Sequence, residues 1–184
     1  MKPRVYIETT IISYLAARPS RDLIVAAHQQ LTHDWWNDYR SKFDLVTSQL
    51  VVDEVSAGDQ QVADRRLGLL EDTPLLEISD EVTLLAQRIV ERKALSGRAA
   101  EDALHIAVAT VHEFRRAHGR LKMWEDPIVE EVRRVREAHA KKFNFEIRRI
   151  VADVKERELA TARVVIQAPR KQLAGSKGTH SPLP

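Results

Sequence analysis

Cysteine is absent from the chain, so no disulfide and no thiolate metal site is available to it. The N-terminus reads K-P-R-V-Y-I without an apolar segment of signal-peptide length, and no hydrophobic run is long enough to cross a bilayer. A soluble, cytoplasmic protein is the expectation. A G-x-x-x-x-G-K-[ST] loop and a G-x-G-x-x-G turn are both missing, which removes the commonest phosphate-cradling motifs. The seven histidines show no metal-ligand spacing, and His105 and His112, seven apart, suit core packing better than ligation. What remains is a chain of 184 residues, enough for one ordinary core with an appendage.

The near-neutral total hides an asymmetry: residues 1–112 balance to −5 and residues 113–184 to +7. Such a split fits a basic tail for nucleic acid, or two segments that attract each other. It also fits charges that merely follow solvated helix faces.

In chain order, Val5-Tyr6-Ile7 reads as a short buried strand that ends in Glu8-Thr9-Thr10. Ile11, Ile12 and Leu15 follow at helical spacing, and Thr9 or Thr10 can cap that helix. A second helix is predicted from Ser20 or Arg21 through Trp35-Trp36, whose indoles face the core or stack on a nucleobase. Phe43–Val52 reads as a second strand running into Asp53-Glu54. A short helix over Val62–Leu70, a strand at Leu75–Ile78, and a helix over Glu81–Lys93 capped by Ser79 come next. After Gly97, the stretch A-E-D-A-L-H-I-A-V-A-T-V-H predicts a largely buried helix with Asp102 near its first turn. Alternating strands and helices imply an α/β fold with a short, mostly parallel sheet between helices.

Beyond His112 the character changes, and E-F-R-R-A-H-G-R-L-K shows no β pattern. Asp126 and Pro127 read as N-cap and first position of a new helix, with Ile128, Val132, Val135 and His139 on one face. Phe143-Asn144-Phe145 interrupts before a second amphipathic helix along Ile147, Ile150, Val151 and Val154. Arg133-Arg134-Val135-Arg136-Glu137 reads as a solvated face, with phosphate binding the alternative. Ala162–Ile166 reads as a short edge strand, and the tail beyond Pro169 as disordered.

Glu8, Glu54 and Asp102 all fall at element junctions, where the carboxyl edge of a parallel sheet places ligands. Gathered there, the three would raise one another's pKa, a tension that an oxygen-preferring cation such as Mg²⁺ or Mn²⁺ relieves. Metal-bound water is then suited to attack a phosphodiester. Asp53 and Glu101 are poorer partners, because adjacent residues point elsewhere. The competing reading is three surface acids that never meet.

V-Y-I-E-T-T-I-I-S-Y-L, then S-Q-L-V-V-D-E-V-S-A-G-D, then A-E-D-A-L-H-I-A-V-A together resemble the PIN-domain family, most of all VapC-like toxins of bacterial toxin–antitoxin pairs. The resemblance covers about residues 4–112. It implies a three-layer α/β fold and metal-dependent cleavage of single-stranded RNA. By the same resemblance Glu8, Glu54 and Asp102 stand at the family's three acids, as catalytic and metal-holding residues, and Thr9 at the substrate-side hydroxyl. The family's last strand and fourth polar position have no visible counterpart here. Residues 123–165 resemble, less closely, small helical antitoxin-like proteins encoded beside such toxins.

The expected organisation is therefore a PIN-like domain over 1–115, apparently lacking its last strand, a helical extension over 123–166, and a disordered tail over 167–184. Expected partners are RNA, an antitoxin-like protein or the chain's own extension, and a second copy of the chain, with no membrane. The rival expectation is a catalytically inactive toxin/antitoxin-like fusion that works as a protein-binding module.

Overall fold

The computed structural model describes residues 2–92, 100–112 and 126–168, and the backbone of 115–116. Five short strands form one sheet: β1 (Arg4–Tyr6), β2 (Asp44–Ser48), β3 (Leu75–Leu76), β4 (Arg115–Arg116) and β5 (Val165–Ile166). Their order is β4-β1-β2-β3-β5, and every neighbouring pair is parallel. Parallel neighbours need crossover helices. Here α1 (Thr9–Ala16) and α2 (Leu23–Asp38) join β1 to β2, and α3 (Gln49–Val55) and α4 (Gln60–Gly68) join β2 to β3. Next, α5 (Asp80–Glu91) and α6 (Ala100–Val111) lead to β4, and α7 (Pro127–Lys142) and α8 (Ile147–Ala160) lead to β5. The chain reverses direction across the sheet after β3, so right-handed crossovers carry α5 and α6 to the face opposite α1–α4. Consistent with this, α5 packs along α6 while α1 touches α2, α3 and α4.

Capping explains several boundaries. Asp22 accepts from the amides of Ile24 and Val25, Ser79 from Val82, and Asp126 from Ile128 and Val129, so each satisfies donors that a helix start leaves orphaned. Between α7 and α8 the chain turns through Asn144 (φ 52°) and Phe145 (φ 60°), both in the left-handed region.

Two sequence expectations are corrected. The strand expected to be missing after α6 is present in minimal form: Val5 and Tyr6 pair with Arg115 and Arg116 at the β1 edge. Two residues paired through their backbones need no side-chain alternation, which is why no pattern announced them. The second strand stops at Ser48 rather than Val52, and α3 starts at once, so Glu54 lies within a helix and not at a strand end. The edge strand expected within Ala162–Ile166 is β5, hydrogen-bonded to β3 through Leu75 N to Val164 O and Glu77 N to Ile166 O. Residues 169–184, most of the expected tail, and Gly97 lie outside the described residues.

One hydrophobic cluster joins all of this. Tyr6 of β1 and Ile7 just after it, Leu50 and Val55 of α3, Leu104 and Val108 of α6, and Ile150 and Val154 of α8 belong to the same core. Residues 147–166 thus pack into the body of the protein and extend its sheet. Among the described residues no helix is long and apolar enough to cross a membrane.

Candidate active site

The three acids do meet. Glu8 follows β1 as the N-cap of α1, Glu54 points from α3, and Asp102 projects from the first turn of α6. They gather on the guanidinium of Arg136, from α7. Its Nε donates to Glu54 Oε1 at 2.9 Å and its Nη2 to Glu54 Oε2 at 3.2 Å, a forked pair. Its Nη1 donates to Asp102 Oδ1 at 2.6 Å, and Nη2 lies 3.9 Å from Glu8 Oε2. The Arg136 side chain is 11 % exposed and that of Glu54 3 %.

Burial acts to raise the Glu54 carboxyl, but Arg136, His105 and Thr9 outweigh it and hold the group at about 2. Burial likewise acts to lower the Arg136 guanidinium, and the charges of Glu54, Glu8 and Asp102 reverse that and push it up. Both partners are firmly ionised, as a buried ion pair requires.

Glu54 is oriented by a chain of hydrogen bonds. Ionised Glu54 can only accept, so His105 Nε2 carries the hydrogen in the 2.8 Å contact to Glu54 Oε1. The other ring nitrogen, Nδ1, is hydrogen-bonded to the Tyr6 hydroxyl at 2.9 Å, and Tyr6 to Ser48 Oγ at 2.8 Å. The Thr9 hydroxyl donates to Glu54 Oε2. Of the expectations for Thr9, the helix cap is corrected, because α1 has no side-chain cap; the hydroxyl, next in sequence to Glu8, is taken up by Glu54.

Glu101 and Asp53 point elsewhere, as their positions next to Asp102 and Glu54 imply. Glu101 is 1 % exposed, bonds His139 Nδ1 through Oε1 and leaves Oε2 without a hydrogen-bond partner. Burial, opposed by His139 and reinforced by the charge of Glu54, raises the Glu101 carboxyl to about 6. The bond to Glu101 raises His139 despite its burial, and the other ring nitrogen contacts Asp153 at 3.2 Å. Asp53 pairs with Arg157 of α8 at 2.9 Å.

The residue that sequence reasoning missed is Arg136, taken as part of a solvated face. A signal existed: Val132, Arg136 and Ala140 recur at four-residue steps, and the first and last are buried. A charge on the apolar stripe of a helix marks a buried ion pair. His105, read as core, is fully buried but also binds the central carboxylate.

An all-oxygen donor set of three carboxylates has the chemistry of a Mg²⁺ or Mn²⁺ site. Among the described residues, however, no three ligand side chains stand in metal-binding proximity to one another, and a guanidinium takes the position between the acids. No curated protein and no solved structure matches the chain significantly. The sequence profile of the PIN domain matches residues 5–119. With more than half of its length matched and with α/β topology and clustered acids to go with it, the chain belongs to the PIN-domain family, whose members are in general metal-dependent nucleases.

Proposed function

We propose that the chain is a metal-dependent ribonuclease of the PIN toxin type that cleaves single-stranded RNA, held closed by Arg136 of its own C-terminal extension. The observation that carries this is the convergence of Glu8, Glu54 and Asp102 on one guanidinium. Three acids from three elements gather only where a positive charge holds them together. In the open state Glu8, Glu54 and Asp102 would hold the cation, which supplies an activated water and charge neutralisation. Tyr6, Ser48 and His105 keep Glu54 oriented, and Thr9 stands beside it at the substrate side. Helix α7 excludes substrate from this edge of the sheet in the closed state. A cytoplasmic location goes with such a substrate.

The extension takes the place of a separate antitoxin-like partner in this reading. A truncation at residue 122 is a poor test, because it would also strip β5 and the core residues of α8. Full-length Arg136→Ala is better. It is expected to cut single-stranded RNA with Mg²⁺ and not with chelator, and to lose that activity when Asp102→Asn is added, while the parent chain cuts far more slowly. An Arg136→Ala protein that folds, and leaves every RNA offered intact, refutes the nuclease and leaves the inactive, protein-binding fusion.

A further inference from the structure

Besides its apolar stripe and the His139–Glu101 contact, helix α7 meets the body of the protein at three further points. At its start Asp126, 4 % exposed, accepts from the Tyr14 hydroxyl of α1 and lies 3.5 Å from His28 Nδ1 of α2. Five residues on, Glu131 accepts from Arg66 Nη2 of α4 at 2.8 Å. Five residues further, Arg136 enters the acids. At 1.5 Å per residue the three residues are about 7.5 Å apart along the axis, each turned further round the helix than the one before. The floor thus offers donor, donor, carboxylates, and the helix answers with anion, anion, cation. A nucleic acid strand carrying a divalent cation presents the same order of charge.

Arg66 gives independent support. It is 5 % exposed, yet it holds Glu131 through one nitrogen only and its Nε has no hydrogen-bond partner. The Glu131 side chain is 44 % exposed. A buried guanidinium costs too much desolvation to be justified by a single bond to a half-exposed carboxylate. Its fork matches the two oxygens of a phosphate, and Arg and Tyr are common phosphate contacts.

We propose that Tyr14, His28 and Arg66 form a track for the phosphates of single-stranded RNA leading to Glu8, Glu54 and Asp102, and that α7 covers this track by imitating the strand. The inference rests on the ribonuclease reading for the identity of the strand, and its test is made without catalysis. Glu131→Ala/Arg136→Ala uncovers Arg66 and the acids in the full-length chain, and Arg66→Ala is then added. Binding of a fluorescent single-stranded RNA is followed by anisotropy in chelator across a range of salt concentrations.

The opened chain should bind RNA far more tightly than the parent. Adding Arg66→Ala should weaken binding about tenfold or more and flatten the log–log salt slope by about 0.7, one phosphate contact on a single strand. Arg66→Lys should restore the slope. With Asp126→Ala also present to release the Tyr14 hydroxyl, Tyr14→Phe should lower affinity and leave the slope unchanged, because it removes a neutral donor. Should the double variant fail to fold, Glu131→Ala with and without Arg66→Ala puts the same question with Arg136 in place. RNA binding with equal affinity and slope whether residue 66 is Arg or Ala overturns the track, as does an opened chain that does not bind RNA. Arg66-dependent binding without cleavage on adding Mg²⁺ would sink the nuclease and keep the track.

Discussion

Replacing Arg136 with Ala leaves Glu54 and Glu8, both buried, and Asp102 without the charge that gathers them. Removing one partner of a buried pair typically costs about 3–5 kcal/mol. For a chain of this length each kcal/mol moves the midpoint by about 2–4 °C, so thermal melts at pH 7 should show a drop of roughly 6–20 °C. Two further readings identify the cause. In the parent, Glu54 is held at about 2 against an ordinary 4.5, a linkage of roughly 3 kcal/mol. Because that pKa is depressed, its contribution is present above pH 4.5 and is lost as the pH falls through about 2. Without Arg136, burial still acts to raise Glu54 and only His105 and Thr9 oppose it, so the stability gap to the parent should narrow as the pH falls from 7 towards 5. The parent should gain nothing from Glu54 over that window. Mn²⁺ at a hundred times its dissociation constant should restore about 2.7 kcal/mol to the variant and much less to the parent, whose guanidinium competes for the same oxygens. Equal midpoints for the two proteins, with no cation-dependent rise in the variant, would refute the argument that Arg136 occupies a cation's place.

Tyr6→Phe should cost about 1–3 kcal/mol in chemical denaturation, because it orphans Nδ1 of fully buried His105 and the hydroxyl of fully buried Ser48. Glu101→Gln tests the raised carboxyl. A folded value of about 6 against 4.5 means that stability falls as the pH rises through that window, and melts of the Gln variant across pH 4.5–6 should be flatter. Asn144→Ala at φ 52° should cost about 1 kcal/mol, while Asn144→Gly should be neutral or stabilising in the same melts.

The parts of the fold that were readable in the sequence are those where side chains pattern themselves. Val5-Tyr6-Ile7, the Ser79 and Asp126 caps, and the buried helix around Ala103–Ala107 all carry periodic or capping signals. Glu8 and Asp102 were readable because element junctions at the carboxyl edge of a parallel sheet converge in space; Glu54, assigned to such a junction by a misread strand end, reaches the same point from within α3. What was hidden depends on partners distant in sequence. β4 is a pair of arginines joined to the sheet by backbone hydrogen bonds, which any residue except proline can supply. The end of β2 was misread because Leu50, Val51 and Val55 are as apolar as a strand and are buried on a helix. Arg136 was hidden by its neighbours: Arg133 and Arg134 are exposed, and only a half-turn of helix separates them from the one that is not.

The β5–β3 pairing fixes a stoichiometry. A separate inhibitory protein can be diluted away, outnumbered or degraded on its own, freeing the enzyme it restrains. In the function proposed above, the restraining helix belongs to the same polypeptide and is anchored downstream by a strand of the same sheet, so its local concentration is set by geometry and not by expression. Release, in that proposal, is a movement within one molecule.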